Sequence, residues 1–187
     1  DPAVLSTQMS QGQLPSIPAN QQACWWAGQA CPFGLPGYTH GNSVAELVID
    51  GAPGVALYLA EVGTLNDYLL AINWFAANGV TVVNHSQVGP YDGPGDGTGG
   101  AAAIIDYAVS KGIAWVNAAG NANPDPQYPS FQGGYWRGTW NDPDNDSWLN
   151  FSGTDEALTS YCGALRGLRW SDWGAARTDY DLYVRDY

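Results

Sequence analysis

Positive charge is nearly missing from this sequence of 187 residues, in which Lys111 is the only lysine. Six lysine and arginine residues stand against 18 aspartate and glutamate residues, and the formal net charge is −12. A polyanion such as DNA would be repelled, because no cluster of basic residues is present to contact phosphate groups. The composition therefore excludes nucleic-acid binding as a function.

Long hydrophobic runs are also missing, and no stretch of eighteen apolar residues is present to span a bilayer. The chain starts at Asp1 without a charged and then apolar leader, so we expect that any signal peptide was removed or lies outside this stretch. A hydrophobic content of 45% is enough for a core. Little lysine, with abundant glycine, asparagine, aspartate and aromatic residues, favours a secreted or cell-surface protein.

Cysteine is scarce, with only Cys24, Cys31 and Cys162. The first two are seven positions apart in a loop-like segment and can close a small disulfide in an oxidising compartment. Three unlinked thiols are the alternative. Cys162 is left over in either case, free or paired with something outside this chain.

Hydrophobic spacing in the middle of the chain alternates between helix and strand types. Leu65, Ile72 and Phe75 lie at helical spacing before Gly79, whereas residues 80–84 form a short β-branched run typical of a buried strand. In chain order, the spacing predicts helix 43–50, strand 55–62, helix 65–78, strand 80–84, helix 101–111 and strand 113–117. This alternation predicts βαβ crossovers and an α/β fold, with a parallel sheet covered by helices on both faces.

The two flanking regions have a different character. Residues 1–39 are rich in glutamine, proline, serine and glycine, so we expect a loop-rich lead-in with one short helix over 3–11 and no apolar strand. Short aromatic stretches separated by aspartate, asparagine and glycine follow residue 123, and they predict a partial antiparallel β module. The predicted domains are therefore 1–123 and 124–187.

Three segments at the ends of these elements carry residues suited to chemistry. The segment HGNSVA opens a helix at His40, VVNHS at 82–86 ends one strand, and VNAAGN at 116–121 ends the next. This order resembles the subtilase (subtilisin-like serine peptidase) family from His40 to Asn121. The family's histidine motif reads His-Gly-Thr-x-Val-Ala, and its stretch AAVDYAVxxGxxxVxAAGN is similar to AAAIIDYAVSKGIAWVNAAGN here.

The resemblance implies a role for two side chains. His40 matches the family's catalytic base, and imidazole suits that role because its ordinary pKa lies near the working pH. Asn121 matches the side-chain amide that donates a hydrogen bond to the oxyanion of the tetrahedral intermediate. A turn asparagine is the alternative for Asn121, since Gly-Asn pairs commonly form turns.

The family binds its substrate as an extended peptide that pairs with an exposed strand. The matching residues here are Ser86, Gln87, Val88 and Gly89, where the family usually reads Ser-Leu-Gly-Gly. Ser86 fits and the next two residues depart, so the family's specificity does not carry over. We expect neighbouring His85 to be a packed, hydrogen-bonded residue rather than a second catalytic histidine.

The other two members of the family's triad are not found. The nucleophile motif Gly-Thr-Ser-x-Ala does not occur, and residues 152–154 lack its glycine-serine turn. Only Asp1 precedes His40, outside the expected Asp-Ser/Thr-Gly strand; Asp50 follows the histidine, and we reject it as the orienting acid. We therefore expect the triad aspartate and serine to lie outside this chain.

These features predict a fragment of a secreted subtilisin-like serine endopeptidase that acts on polypeptide substrates and requires no cofactor for its chemistry. The alternative is a non-catalytic binding module with the subtilase fold. We expect neither nucleic acid nor a membrane as a partner.

The acidic, aromatic tail adds a further prediction. Residues 168–173 and 178–183 are similar to a pattern found in β-sandwich insertions of some subtilases. Asp142, Asp144 and Asp146 alternate, and such carboxylates can converge on a structural calcium ion, which prefers several oxygen ligands. Solvated turn aspartates are the alternative, and a tail that binds carbohydrate is a third hypothesis.

Overall fold

A computed structural model describes residues 1–87, 96–120, 137–157, 170–172, 174, 177–181 and 183. The chain divides into two compact units, one comprising Asp1–Ala118 with Leu168–Tyr187 and the other Ala119–Gly167. The predicted domain bounds, 1–123 and 124–187, stay a prediction. None of the helices in the described ranges is long and apolar enough to cross a membrane.

The first unit alternates helices and strands, as the hydrophobic spacing predicts. Its elements in chain order are α1 (Pro2–Ser10), β1 (Gln22–Trp26), β2 (Gln29–Ala30), α2 (His40–Gly51), β3 (Leu59–Val62), α3 (Leu65–Ala77), β4 (Val82–His85), α4 (Gly100–Ser110) and β5 (Ala114–Asn117). The α/β fold class is confirmed. The helix bounds differ from the predicted ones by up to three residues, whereas the strand predicted over 55–62 begins only at Leu59.

The strands form two hydrogen-bonded groups rather than one sheet. Strand β1 lies between β2, which is antiparallel to it, and β3, which is parallel to it. Strands β4 and β5 form a separate parallel pair. Within the described ranges, β3 pairs only with β1 and β4 only with β5, so no ladder hydrogen bonds join the two groups.

A hydrophobic core around α3 supports both groups of strands. Ile72 has no exposed surface, and Phe75 and Val83 are buried beside it. The same cluster includes buried residues of α4 and the residue before β5, with half-buried side chains of β3 packed against it (Ile104, Ala108, Ile113, Ala60 and Val62). Burial of these apolar side chains is the main stabilising contribution to this unit.

A second, smaller core joins α1 to α2 through Leu5 and Ala45. Beside it, Asn42 is buried, and its side-chain Nδ2 donates to the side-chain oxygen of Gln8 at 3.3 Å. Gln8 Nε2 donates in turn to the backbone oxygen of Asn42 at 3.3 Å. The residue that replaces the family's threonine therefore fixes the first turn of α2, which begins at His40.

The lead-in contains a β-hairpin that the sequence did not indicate. Strand β1 precedes His40, so the expectation that no strand lies there is wrong. The turn between β1 and β2 uses Ala27 and Gly28, whose φ angles are 50° and 81°. Both values are left-handed, as a two-residue hairpin turn requires, but Ala-Gly lacks the asparagine or aspartate that usually signals such a turn.

A disulfide and a buried carboxylate fix this hairpin. The predicted bond between Cys24 and Cys31 is confirmed, with Cα atoms 5.0 Å apart. The carboxylate of Asp67 has no exposed surface and accepts hydrogen bonds from the backbone N–H groups of Ala27 at 3.1 Å and Gly28 at 2.7 Å. It also accepts from the backbone and side chain of Thr64, both at 2.8 Å, which caps α3.

The antiparallel β module predicted after residue 123 stays a prediction. Between 137 and 157 the structure has one isolated antiparallel bridge, between Ser152 and Asp155. Part of the aromatic stretches on which the prediction depends, including residues 165–169, lies outside the described residues, and so does Cys162.

Candidate functional site

His40 is the first residue of α2, and its side chain is exposed. Its imidazole makes no hydrogen bond with any described part of the chain. The helix itself is fixed by Ala45 and Asn42, both of which are buried. An exposed imidazole on a fixed backbone is available to an incoming reactant, which is what a general base requires.

A pocket lies between α2 and the carboxyl end of β4. Its volume is about 280 Å³, and α2 contributes Val44, Leu47 and Val48 to its lining. Asn84 and Ser86 line the opposite side. Val44 follows His40 by one helical turn, so the face of α2 that begins at the histidine continues into this pocket. The structure thus brings the predicted histidine helix and the first predicted substrate-binding residue together.

Side chains along β4 alternate between two directions, one towards α3 and the other towards the pocket beside α2. Val83 and His85 point towards the core around α3, whereas Asn84 and Ser86 line the pocket beside α2. The Nδ2 atom of Asn84 donates to the Ser86 hydroxyl at 3.0 Å, which fixes that side chain at the pocket wall. Gln87 is exposed.

Three predicted site residues, Val88, Gly89 and Asn121, lie outside the described residues. The described residues do include the strand that leads towards Asn121. Strand β5 pairs in parallel with β4, and His85 is opposite Asn117 at the carboxyl end of both strands. The segments that follow the two strands therefore start at the same edge of the sheet.

A chain of hydrogen bonds crosses this edge. The Tyr68 hydroxyl is 2.9 Å from His85 Nε2, and His85 Nδ1 is 2.6 Å from Asn117 Oδ1. The Trp115 ring packs against His85 with ring centroids 5.3 Å apart, and its Nε1 donates to Asn117 Oδ1 at 3.5 Å. Burial raises the pKa of Tyr68, so its phenol stays protonated and available as a donor.

The expectation that His85 is a packed, hydrogen-bonded residue is confirmed. Sequence reasoning missed both of its partners. A signal was present for Tyr68, which precedes the buried Ile72 by one helical turn and so faces the same strands. Asn117 had no comparable signal, because an asparagine at a strand end also suits an ordinary turn.

The three alternating aspartates do converge. One carboxylate oxygen from each of Asp142, Asp144 and Asp146 lies within 4.8 Å of the others. Two of the donors to this cluster are backbone groups, Asp146 N at 3.1 Å and Ser147 N at 3.0 Å from the oxygens of Asp142. Oxygens at this spacing suit a hard cation. The structural calcium ion stays a prediction.

Glu156 adds a fourth carboxylate beside this cluster. Desolvation, followed by the negative charges of Asp146, Asp144 and Asp142, raises the pKa of Glu156. A raised carboxyl pKa means that the folded state disfavours the charged form. Charge at this end of the second unit is therefore more crowded than in a set of separately solvated aspartates.

A family model described as the subtilase family matches residues 34–172. The match covers well over half of the chain, and it includes His40, the pocket beside it and the carboxyl ends of β4 and β5. The chain belongs to the subtilase family. At the level of the family, this subtilase is thus related to serine peptidases, which are hydrolases of peptide bonds.

Proposed function

We propose that this subtilase is part of a secreted subtilisin-like serine endopeptidase, with His40 as the general base and Asn121 as the oxyanion donor. The observation that carries the proposal is the pocket in which α2, directly after His40, faces Ser86. The triad aspartate and serine are supplied by sequence outside this chain. The Cys24–Cys31 disulfide supports secretion, because such bonds persist in oxidising compartments.

The chemistry assigned to His40 is proton transfer in two directions. The imidazole accepts the hydroxyl proton of the serine as the serine oxygen attacks the scissile carbonyl. It then donates that proton to the departing amine, and the peptide bond breaks. A negatively charged oxygen forms on the tetrahedral intermediate between these two proton transfers, and the side-chain N–H of Asn121 donates a hydrogen bond to it. This hydrogen bond lowers the barrier because it is stronger in the transition state than with the bound substrate.

Substrate binding is assigned to Ser86, Gln87, Val88 and Gly89. An extended polypeptide pairs with the backbone of this segment, and one of its apolar side chains enters the pocket beside Ser86. Leu47 is 69% exposed at the pocket wall, so it offers apolar surface to such a side chain. The net charge of −12 leaves nucleic acid outside the set of proposed partners.

Leu47→Gln tests the pocket, with Leu65→Gln as the matched control. Both leucines are exposed on helices, 69% and 54% respectively, but only Leu47 lines the pocket. Binding of a fluorescein-labelled Ala-Ala-Val-Ala-Ala-Val peptide is measured by anisotropy. We expect Leu47→Gln to raise the Kd about three- to tenfold, because apolar contact is lost, and Leu65→Gln to leave it unchanged. Equal Kd values for all three proteins would contradict the proposed pocket.

A non-catalytic binding module is the second candidate, favoured by the missing Gly-Thr-Ser-x-Ala motif. A fluorophosphonate probe, which reacts with activated serines, should leave this chain unlabelled. The same probe on the chain extended by its flanking coding sequence separates the candidates. Labelling that disappears with His40→Ala supports the peptidase, and no labelling supports the binding module.

A further inference from the structure

The hydrogen-bonded chain from Tyr68 through His85 to Asn117 lies directly before the proposed substrate-binding segment. His85 is followed by Ser86 in sequence, and its backbone oxygen accepts from Ala118 N at 3.0 Å. At their carboxyl ends, β4 and β5 are therefore linked by this backbone hydrogen bond and by the side-chain hydrogen bonds of His85.

The contacts of Asn117 determine how its amide is oriented. Trp115 Nε1 can only donate, so the Asn117 atom that it contacts is the amide oxygen. On the other side, Asn117 Nδ2 donates to the backbone oxygen of Ala118 at 2.9 Å. Both contacts require the same orientation, with Oδ1 towards the His85 ring.

That orientation determines the tautomer of His85. Asn117 Oδ1 can only accept, so Nδ1 of His85 carries the proton at this 2.6 Å contact. In the neutral ring Nε2 then holds a lone pair, and it accepts from the Tyr68 hydroxyl. The ring is fixed at both nitrogens and packs against Tyr68 and Trp115, with centroid distances of 5.4 Å and 5.3 Å.

We infer that Tyr68 and Asn117 are positioning residues for peptide binding, which act by fixing the His85 ring and, through it, the backbone that presents Ser86 and Gln87. The inference rests on the proposed function of that segment. Pairing with an extended peptide requires backbone N–H and C=O groups held in one direction, and a fixed ring at residue 85 restricts rotation of the chain immediately before them. Loss of either hydrogen bond frees the ring and increases the entropy that binding must remove.

Tyr68→Phe tests this role, because it removes only the hydroxyl and keeps the aromatic packing. The matched control is Tyr107→Phe, which removes a phenol hydrogen bond to Asn73 Oδ1 of 2.7 Å between α4 and α3, on a surface outside the pocket lining. With the labelled peptide and the full 187-residue chain, we expect Tyr68→Phe to raise the Kd about three- to tenfold and Tyr107→Phe to leave it within about twofold. The Tm of the two variants should fall by similar amounts, since each variant loses one hydrogen bond of a tyrosine hydroxyl.

Two further readouts separate positioning from general stability. Nitrogen-15 NMR of the imidazole should show the Nδ1–H form of His85 in the unmodified chain and in Tyr68→Phe, and a mixture of tautomers in Asn117→Ala, which loses the acceptor of the Nδ1 proton. Asn117→Ala should also raise the Kd, and the double variant should be no weaker than the weaker single variant, because both act through the same ring. Additive effects on the Kd would overturn the inference.

The outcomes also distinguish the inference from the proposed function. If the unmodified chain binds the peptide and Tyr68→Phe binds equally well, the positioning role is wrong while peptide binding stands. If the unmodified chain does not bind the peptide, the proposed substrate-binding function is wrong, and the positioning role falls with it.

Discussion

At the residue scale, Asp67 joins two elements of the first unit. Its carboxylate accepts four hydrogen bonds, which satisfy the N-terminus of α3 and the turn between β1 and β2 together. Desolvation alone would raise the pKa of Asp67, but the hydrogen bonds from Gly28, Thr64 and Ala27 outweigh it and lower the pKa. The folded state therefore favours the ionised carboxylate of Asp67.

The lowered pKa gives a direction for stability against pH. The contribution of Asp67 is fully present above the ordinary aspartate pKa of about 3.9 and is lost as the pH falls through the lower folded value. We expect Asp67→Asn to lower the Tm by several degrees at neutral pH, and the difference from the unmodified chain to shrink below about pH 4. Differential scanning calorimetry from neutral to acidic pH measures this.

Asp106→Asn is the control for that experiment, since Asp106 is an exposed carboxylate on α4. It should leave the Tm nearly unchanged at every pH. A pH-independent difference between Asp67→Asn and the unmodified chain would show that the charge of Asp67 does not contribute.

At the scale of elements, α3 is the helix on which both groups of strands depend. Ile72 has no exposed surface and lies at the centre of that core. Removing its side-chain atoms leaves a cavity that neighbouring residues from α4 and β4 fill only in part. Hydrophobic spacing also predicts this helix.

We expect Ile72→Ala to lower the free energy of unfolding by about 2–5 kcal/mol, as measured by urea titration. Val109→Ala, on α4, is the control, because Val109 is 59% exposed and its truncation should change stability by less than about 0.5 kcal/mol. Comparable losses for the two variants would mean that α3 is not the centre of the core.

The sequence predicted elements well where the hydrophobic spacing is regular. Helix α3 and strands β4 and β5 follow from the spacing around Ile72 and from short β-branched runs. The hairpin of β1 and β2 could not be predicted from hydrophobic spacing, because its turn depends on Ala27 in a left-handed conformation and on the carboxylate of Asp67, forty positions away. Long-range contacts of this kind leave no local periodicity.

The residues of the candidate site were likewise predicted only in part. His40 and Ser86 were predicted from the family resemblance, and the pocket brings their two elements together. The partners of His85 were not predicted, because a tyrosine and an asparagine 49 positions apart contact the same ring only once α3, β4 and β5 have packed together.

At the scale of the whole molecule, acidity is unevenly distributed. The net charge is −12, and four carboxylates crowd at Asp142, Asp144, Asp146 and Glu156. Because the pKa of Glu156 is raised, its charge opposes folding increasingly as the pH rises above the ordinary glutamate value of about 4.3. A bound cation would reverse the sign of this effect.

Asp144→Asn tests both consequences of this crowding. In EDTA we expect the variant to melt at an equal or higher temperature than the unmodified chain, because repulsion is relieved. If the predicted calcium ion binds, calcium chloride should raise the Tm of the unmodified chain and have less effect on the variant. Asp179→Asn, at another exposed aspartate, should respond to calcium as the unmodified chain does.

The bond between Cys24 and Cys31 has a practical consequence for anyone preparing this protein. In a reducing cytoplasm both thiols would stay free, and the hairpin would lose a link that typically contributes about 2–4 kcal/mol. Oxidation after cell lysis would then offer Cys162 as a wrong partner to either thiol. Expression in a bacterial periplasm, or refolding in a glutathione redox buffer, is the appropriate route to a homogeneous sample.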